Sequence, residues 1–182
     1  MDDRRQEILD ELLVLRSREG SRKAIEQLLT RWQPRLWRHA LRLTGHDDAA
    51  WDVLQETLMS ITRNIRKLDD PARFRRWAYT ILTRRATDWR RRRTRGVPTA
   101  ELIEDEIAHD DRGSDPAADV TMVREALARL PGDRQALLAL HYMEEFEIWE
   151  MAEILSIPEG TVKSRLFHVR HELREIIERM QS

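Results

Sequence analysis

Apolar residues recur at intervals of three and four positions through most of this sequence, and that spacing most limits how the chain can fold. Side chains three and four residues apart share one face of an α-helix, so each such run predicts an amphipathic helix. Two clear runs are Ile25, Leu28, Leu29 and Trp32, and then Val53, Leu54, Leu58 and Ile61. No stretch of useful length alternates apolar and polar residues as a β-strand does. The sequence therefore predicts an all-α fold.

Local signals predict where the first helices begin and end. Ser21 is expected to cap a helix, and Gly45 is expected to end it. Pro34 lies inside this span and predicts a kink or a restart, because proline removes a helix hydrogen bond. Asp47 or Asp48 is predicted to cap the next helix.

Two neighbouring segments of opposite charge divide the chain. Residues 84–95 hold seven arginines and one aspartate, and residues 99–119 hold eight acids and one arginine. The acidic stretch has weak apolar periodicity and contains Gly-Ser and Asp-Pro pairs, which indicate a solvated linker. We therefore expect two small helical domains, residues 1–95 and 120–182, joined by an acidic flexible linker at residues 96–119.

The arginine-rich segment follows the turn Asp69-Asp70-Pro71, whose proline is expected in the first turn of a helix. On that helix Phe74, Trp77 and Ile81 share a stripe that is expected to be core. The arginines lie mostly off the stripe, and they repel one another unless an anion lies against them. A merely solvated charged face is the alternative, but four consecutive arginines after a tryptophan favour nucleic-acid phosphate as the partner.

Residues 147–173 have the spacing of a helix-turn-helix. A short helix carrying Met151 and Ala152 is followed by the turn Ser156-Ile157-Pro158 and then by a second helix. The outward residues of the second helix suit phosphates and base edges: Thr161, Lys163, Ser164, Arg165 and His168. A helical hairpin with no role in DNA binding is the alternative.

Several functional classes find no support in the sequence. The chain has no cysteine, which excludes disulfides and thiolate metal sites and suits a reducing cytoplasm. No apolar run reaches the roughly 20 residues of a membrane span, so membrane insertion is not expected. His168 and His171 lack a third metal ligand, and no nucleophile–base pair is evident. We expect no catalytic residues, no metal and no cofactor.

Several motifs occur together and in order along the chain. They are RLWRHALRLTG, DVLQET, FRRWAYTIL, DWRRR, LARLPGDRQALLALHYMEEF and MAEILSIPEGTVKSRLFHVRHEL. From about Leu12 to Ile176 this order resembles the extracytoplasmic-function (ECF) sigma factors. The resemblance implies two helical domains that bind core RNA polymerase and direct it to promoters. The first would hold the melted non-template strand of the minus-ten element, and the second would bind the minus-thirty-five element as duplex DNA.

The resemblance also implies which residues form these contacts. The minus-ten pocket falls on the loop before the arginine-rich helix and on that helix: Leu68, Asp69, Asp70, Arg73, Arg76, Trp77, Thr80, Arg84 and Arg91. The surface for core polymerase falls on Asp48, Trp51, Asp52, Gln55 and Glu56. Arg84 stands where the family has a base-reading asparagine, so the minus-ten preference cannot be transferred.

Other departures from the family concern charge and backbone. Ala49 and Trp51 stand where acids are typical, and either nearby acids compensate or docking awaits added charge, for example by phosphorylation of Thr44 or Thr57. Ser156 replaces a glycine in the turn, which is tolerated if it avoids the left-handed conformation. Regulation by an anti-sigma factor or by a Ser/Thr kinase stays open at this point.

Two other classes of protein fit part of the sequence. A conventional helix-turn-helix regulator, acting as a dimer without polymerase, would explain residues 147–173 but not the arginine-rich helix. A protein-binding antagonist or scaffold would explain the helices but neither basic surface.

Overall fold

Helices account for most of the residues that the computed structural model describes, which are 2–94 and 118–181. The chain divides into two compact units, Met1–Pro98 and Thr99–Ser182. Within the described ranges there is no β-strand, which confirms the all-α prediction. Residues 96–117 of the predicted linker lie outside the described residues, and a helix begins at Ala118, just before the predicted domain start.

Residues 2–94 of the first unit form four α-helices and two short 3-10 turns. They are α1 (Asp2–Arg18), α2 (Arg22–Thr44), α3 (Asp47–Asn64), the turns Ile65–Lys67 and Pro71–Arg73, and α4 (Phe74–Thr94). The four helices share an apolar core that includes Val14, Leu28, Trp32, Leu36, Leu54, Ile61, Phe74, Tyr79 and Leu82. None of the helices in the described residues is long and apolar enough to cross a membrane.

The predicted limits of α2 are confirmed. The Ser21 side chain accepts a hydrogen bond from the Ala24 backbone N–H at 3.3 Å, and Gly45 ends the helix in the left-handed conformation. The predicted restart at Pro34 does not occur, because one helix runs from Arg22 to Thr44. Trp32 and Leu36 are buried on both sides of the proline, and this packing outweighs the lost backbone bond.

The start of α3 differs from the prediction, whereas the turn before α4 agrees with it. His46 occupies the cap position of α3, and Asp47 and Asp48 lie in the first turn, where their charges favour the helix N-terminus. Before α4, the Asp70 carboxylate accepts a hydrogen bond from the Ala72 N–H at 3.0 Å, and Pro71 occupies the first position of the short turn.

The second unit ends in the predicted helix-turn-helix. Its helices are α5 (Ala118–Ala128), α6 (Gly132–Leu138), a π turn at Ala139–Met143, α7 (Ile148–Leu155) and α8 (Glu159–Gln181). Met151 and Ile154 of α7 are buried, as are Val162, Leu166 and Val169 of α8, and the two helices pack against each other. Glu147 and Glu150 form a reciprocal capping box at the start of α7.

The expectation that Ser156 avoids the left-handed conformation is wrong. Its backbone is left-handed, with φ 55° and ψ 45°, and its N–H bonds to the carbonyls of Ala152 and Glu153 at the end of α7. The helix-turn-helix requires this sharp reversal, so the serine is held in a conformation that a side chain disfavours. The sequence could show the substitution but not the dihedral angle.

Replacing this serine by glycine should stabilise the second unit. Ser156→Gly removes the left-handed penalty but adds backbone freedom to the unfolded chain, so we expect a net gain of about 0.5–1 kcal/mol. Ser164→Gly, inside α8, should instead lower the free energy of unfolding by about 0.5 kcal/mol. Hydrogen exchange of the backbone amides of α7 and α8 in increasing denaturant measures both within the full chain. A loss of stability in Ser156→Gly would contradict the prediction.

Candidate nucleic-acid interface

The loop before α4 exposes three of the four loop residues that were predicted to meet an unpaired DNA strand. Asp69, Asp70 and Arg73 are exposed, and Arg73 lies 3.4 Å from Asp70. Leu68 is only 7% exposed and belongs to the core, so its side chain is unavailable to DNA. Leu68 is therefore removed from the candidate site. Its apolar character was the signal in the sequence for this burial.

The predicted residues of α4 form a strip along one side of the helix. Arg76, Thr80 and Arg84 are spaced four residues apart and so follow one another along the same face. The first two are half-buried and Arg84 is exposed, as is Arg91 further along. Trp77 is half-buried against Phe74, with ring centroids 6.2 Å apart. The strip therefore begins near the loop with the half-buried ring of Trp77 and ends with the exposed guanidinium groups of Arg84 and Arg91.

The residues predicted to bind polymerase share the exposed face of α3. Asp48, Trp51, Asp52, Gln55 and Glu56 are all exposed. The Trp51 ring is 48% exposed and lies 5.7 Å from the Trp37 ring, which supports it from behind. A groove of about 460 Å³ runs beside it, lined by Trp51, Leu54, Gln55, Leu58, Met59, Thr62 and Arg63. An apolar groove bordered by charged side chains is a surface that suits a protein partner.

A second groove joins α3 to the end of α4, and the sequence alone did not indicate it. It has a volume of about 600 Å³ and is lined by Asp52, Gln55, Glu56, Met59, Trp89, Arg92 and Arg93. Glu56 lies 3.7 Å from Arg85 and 3.8 Å from Arg92, and the Arg93 guanidinium stacks over the Trp89 ring at 5.5 Å. The acidic face and the arginine-rich helix therefore meet directly.

The structure does not support the hypothesis that charge is added to this face by phosphorylation. Thr57 is fully buried, and its hydroxyl donates to the Val53 carbonyl at 2.7 Å. Thr44 is also buried, with its hydroxyl bonded to the Ala40 carbonyl at 2.9 Å. A kinase cannot reach either hydroxyl in the folded unit. Ala49 is buried too, so an acid there would face the core rather than a partner.

The second helix of the helix-turn-helix presents its predicted residues to solvent. Lys163, Ser164, Arg165 and His168 are exposed, and Thr161 is half-buried near the start of α8. Because Val162 and Leu166 point into the core, the residues between them must point outward. The prediction did not include Phe167, which is 68% exposed beside His168, with ring centroids 5.7 Å apart.

Two family models match this chain, one in each unit. Residues 28–96 match sigma-70 region 2, and residues 121–173 match sigma-70, region 4. Helix α1 precedes the first match.

Curated proteins and solved structures show the same likeness over most of the chain. The ECF RNA polymerase sigma factor SigL of Mycobacterium tuberculosis is 34% identical over 144 residues, which cover 76% of this chain and 80% of SigL. SigW of Bacillus subtilis is 25% identical over 171 residues, covering 87% and 91% of the two chains. The solved sigma factor RpoE of Bartonella quintana, in complex with the anti-sigma factor NepR, has a TM-score of 0.66 at 26% identity and covers 86% of this chain and 98% of that chain.

Proposed function

This chain belongs to the ECF subfamily of the sigma-70 factors, and from that membership we propose how its surfaces divide the work of transcription initiation. It is an initiation factor that binds core RNA polymerase and directs it to promoters. We propose a region 2 domain at residues 1–95, an acidic linker at 96–119 and a region 4 domain at 120–182. A conventional regulator without polymerase binding is not favoured, because residues 28–96 of the first unit match region 2.

The minus-ten element is assigned to the loop before α4 and to the strip along that helix. The residues are Asp69, Asp70, Arg73, Arg76, Trp77, Thr80, Arg84 and Arg91. An unpaired strand needs cations for its phosphates and an aromatic platform for a base that leaves the stack. The gradation from Trp77 to the exposed Arg84 and Arg91 supports this assignment. Arg92 and Arg93 lie at the same end of α4 but line the groove toward α3, where Arg92 is 3.8 Å from Glu56.

Core polymerase is assigned to the exposed face of α3. Asp48, Asp52 and Glu56 supply charge for a basic partner surface, and Trp51 supplies an apolar ring that can stack on an arginine. The observation that carries the proposal is that the predicted acids and Trp51 share one exposed face beside an apolar groove. An anti-sigma factor is the regulator we propose, since the related RpoE is found in such a complex.

The minus-thirty-five element is assigned to the exposed side of α8, with Thr161, Lys163, Ser164, Arg165 and His168. We further propose that the chain performs no catalysis itself and that it acts in the cytoplasm, beside the polymerase.

Reconstitution with core polymerase tests the proposed function. The purified full chain is mixed with core polymerase and a pool of promoter fragments randomised over both elements, and the transcripts are sequenced. We expect transcripts that share one sequence at each element and that require both proteins. DNA binding by the chain without polymerase-dependent transcripts would instead support a conventional regulator and overturn the proposal.

Arg165 should contribute to selection of the minus-thirty-five element. Arg165→Ala is expected to weaken binding by about 1–3 kcal/mol and to relax preference at one position, if the guanidinium meets a base edge. Arg174→Ala, at an exposed arginine on the opposite side of α8, is the control and should leave the preference unchanged. Equal binding by Arg165→Ala and the wild type on selected sequences removes Arg165 from the site.

A further inference from the structure

The proposed minus-ten loop is held at three consecutive residues by three different means. Leu68 is buried in the core. Asp70 caps the following turn through its carboxylate. Asp69, between them, has an exposed side chain, and its backbone carbonyl accepts a hydrogen bond from Arg18 Nη1 at 3.0 Å. Arg18 is 51 positions earlier in the chain and lies on α1, outside the region 2 match.

Helix α1, which carries Arg18, is packed against the rest of the domain. Val14 is buried, and the Ser17 hydroxyl donates to the Leu13 carbonyl at 2.6 Å inside the core. Asp10 accepts a hydrogen bond from Arg31 Nε of α2 at 2.9 Å, so the helix is also tied along its length. The guanidinium of Arg18 therefore extends from a helix that is packed into the core of the domain and bonded to α2.

A second contact joins the end of α1 to the same region. Gly20 follows α1 with φ 97°, and a Cβ atom built there would lie 3.2 Å from Nη2 of Arg66. Arg66 belongs to the 3-10 turn that leads directly into the loop. The end of α1 thus lies against both the entry to the loop and its middle residue.

We propose that Arg18 is a positioning residue for selection of the minus-ten element. Its guanidinium fixes the Asp69 carbonyl and so holds the side chains of Asp69 and Asp70 in the conformation that receives an unpaired base. The inference rests on the proposed function, in which this loop meets the minus-ten strand. A loop already ordered before DNA arrives loses less conformational freedom on binding, so its contacts discriminate more strongly between bases.

The experiment uses the full chain with core polymerase and the randomised promoter pool described above. Arg18→Met keeps the aliphatic length but removes the donor, and we expect minus-ten base preference to fall about threefold to tenfold. Minus-thirty-five preference and affinity for core polymerase should stay at wild-type levels. Arg18→Lys, which keeps a charged donor, should retain most of the preference. Arg16→Met is the matched control, because Arg16 lies in the same last turn and is exposed.

The outcomes separate this inference from the function on which it rests. If Arg18→Met has the same minus-ten base preference as the wild type while Arg73→Ala weakens that preference, the inference is overturned. A parallel loss of minus-ten preference, minus-thirty-five preference and core affinity in Arg18→Met also overturns it, since that pattern shows a merely structural role. If the wild type has no minus-ten preference, or if Asp69→Ala and Arg73→Ala both keep it, the proposed function of the loop itself fails.

Discussion

Acidification from pH 6.5 towards pH 3 should lower the free energy of unfolding of the first unit by about 5 kcal/mol through one residue, His39. The side chain is 1% exposed, and neither ring nitrogen has a hydrogen-bond partner among the described residues. Its ring lies edge-on to Tyr79, with centroids 5.1 Å apart. Burial, and to a lesser degree the charge of Arg42, lowers the pKa of His39 from 6.5 to about 3.

The direction of the effect follows from which state binds the proton. Between pH 3 and pH 6.5 the unfolded chain protonates His39 while the folded unit keeps it neutral. The stabilisation is therefore fully present above pH 6.5 and is lost as the pH falls, at about 1.4 kcal/mol per pH unit. Above pH 6.5 both states are neutral at this position, and His39 adds no pH dependence.

Denaturant unfolding at a series of pH values measures this loss. Five of the six tryptophans lie in the first unit, so a Trp149→Phe background makes fluorescence report on that unit alone. His39→Leu keeps an apolar side chain in the core and should remove the slope that His39 causes. His168→Gln, at an exposed histidine of the second unit, should leave the slope unchanged. An equal slope in His39→Leu and the background protein would show that other groups cause the acid sensitivity.

A carboxylate at Thr57 should unfold the first unit or come close to it. Thr57 has no exposed surface, and its hydroxyl is satisfied by the Val53 carbonyl of its own helix. Thr57→Asp would bury an unpaired charge in that place, for which we expect a loss of at least about 4 kcal/mol. A phosphate is larger and carries more charge, so modification of this threonine would disrupt the polymerase-binding face rather than strengthen it.

Thr62 provides a matched control on the same helix. Its hydroxyl donates to the Leu58 carbonyl at 2.8 Å in the same geometry, but the side chain is exposed. Thr62→Asp should therefore change the free energy of unfolding by less than about 1 kcal/mol. Thermal unfolding of both variants distinguishes the two sites, and a core-polymerase binding assay is made on Thr57→Asp. Thr62 lines the groove beside Trp51, so its variant is a control for stability only. A folded Thr57→Asp protein that binds core polymerase more tightly would restore the phosphorylation hypothesis.

Much of the fold follows from local signals in the sequence. The cap at Ser21, the end of α2 at Gly45 and the turn at Asp70 each depend on residues within a few positions, so they could be predicted correctly. The helix-turn-helix was equally evident, because the spacing of its apolar residues determines which side of α8 is exposed. Family membership followed from the order of such local motifs.

Tertiary packing decided what local signals could not. Burial removed Leu68 from the predicted site and Thr57 from kinase access, because the exposure of a side chain depends on helices distant in sequence. The contact of Glu56 with Arg92 and the bond from Arg18 to Asp69 join separate elements. Composition and spacing thus determined the helices and the two kinds of surface. Only the packed structure determined which residues of each surface are accessible and which neighbours hold them, because those properties depend on contacts between segments far apart in the chain.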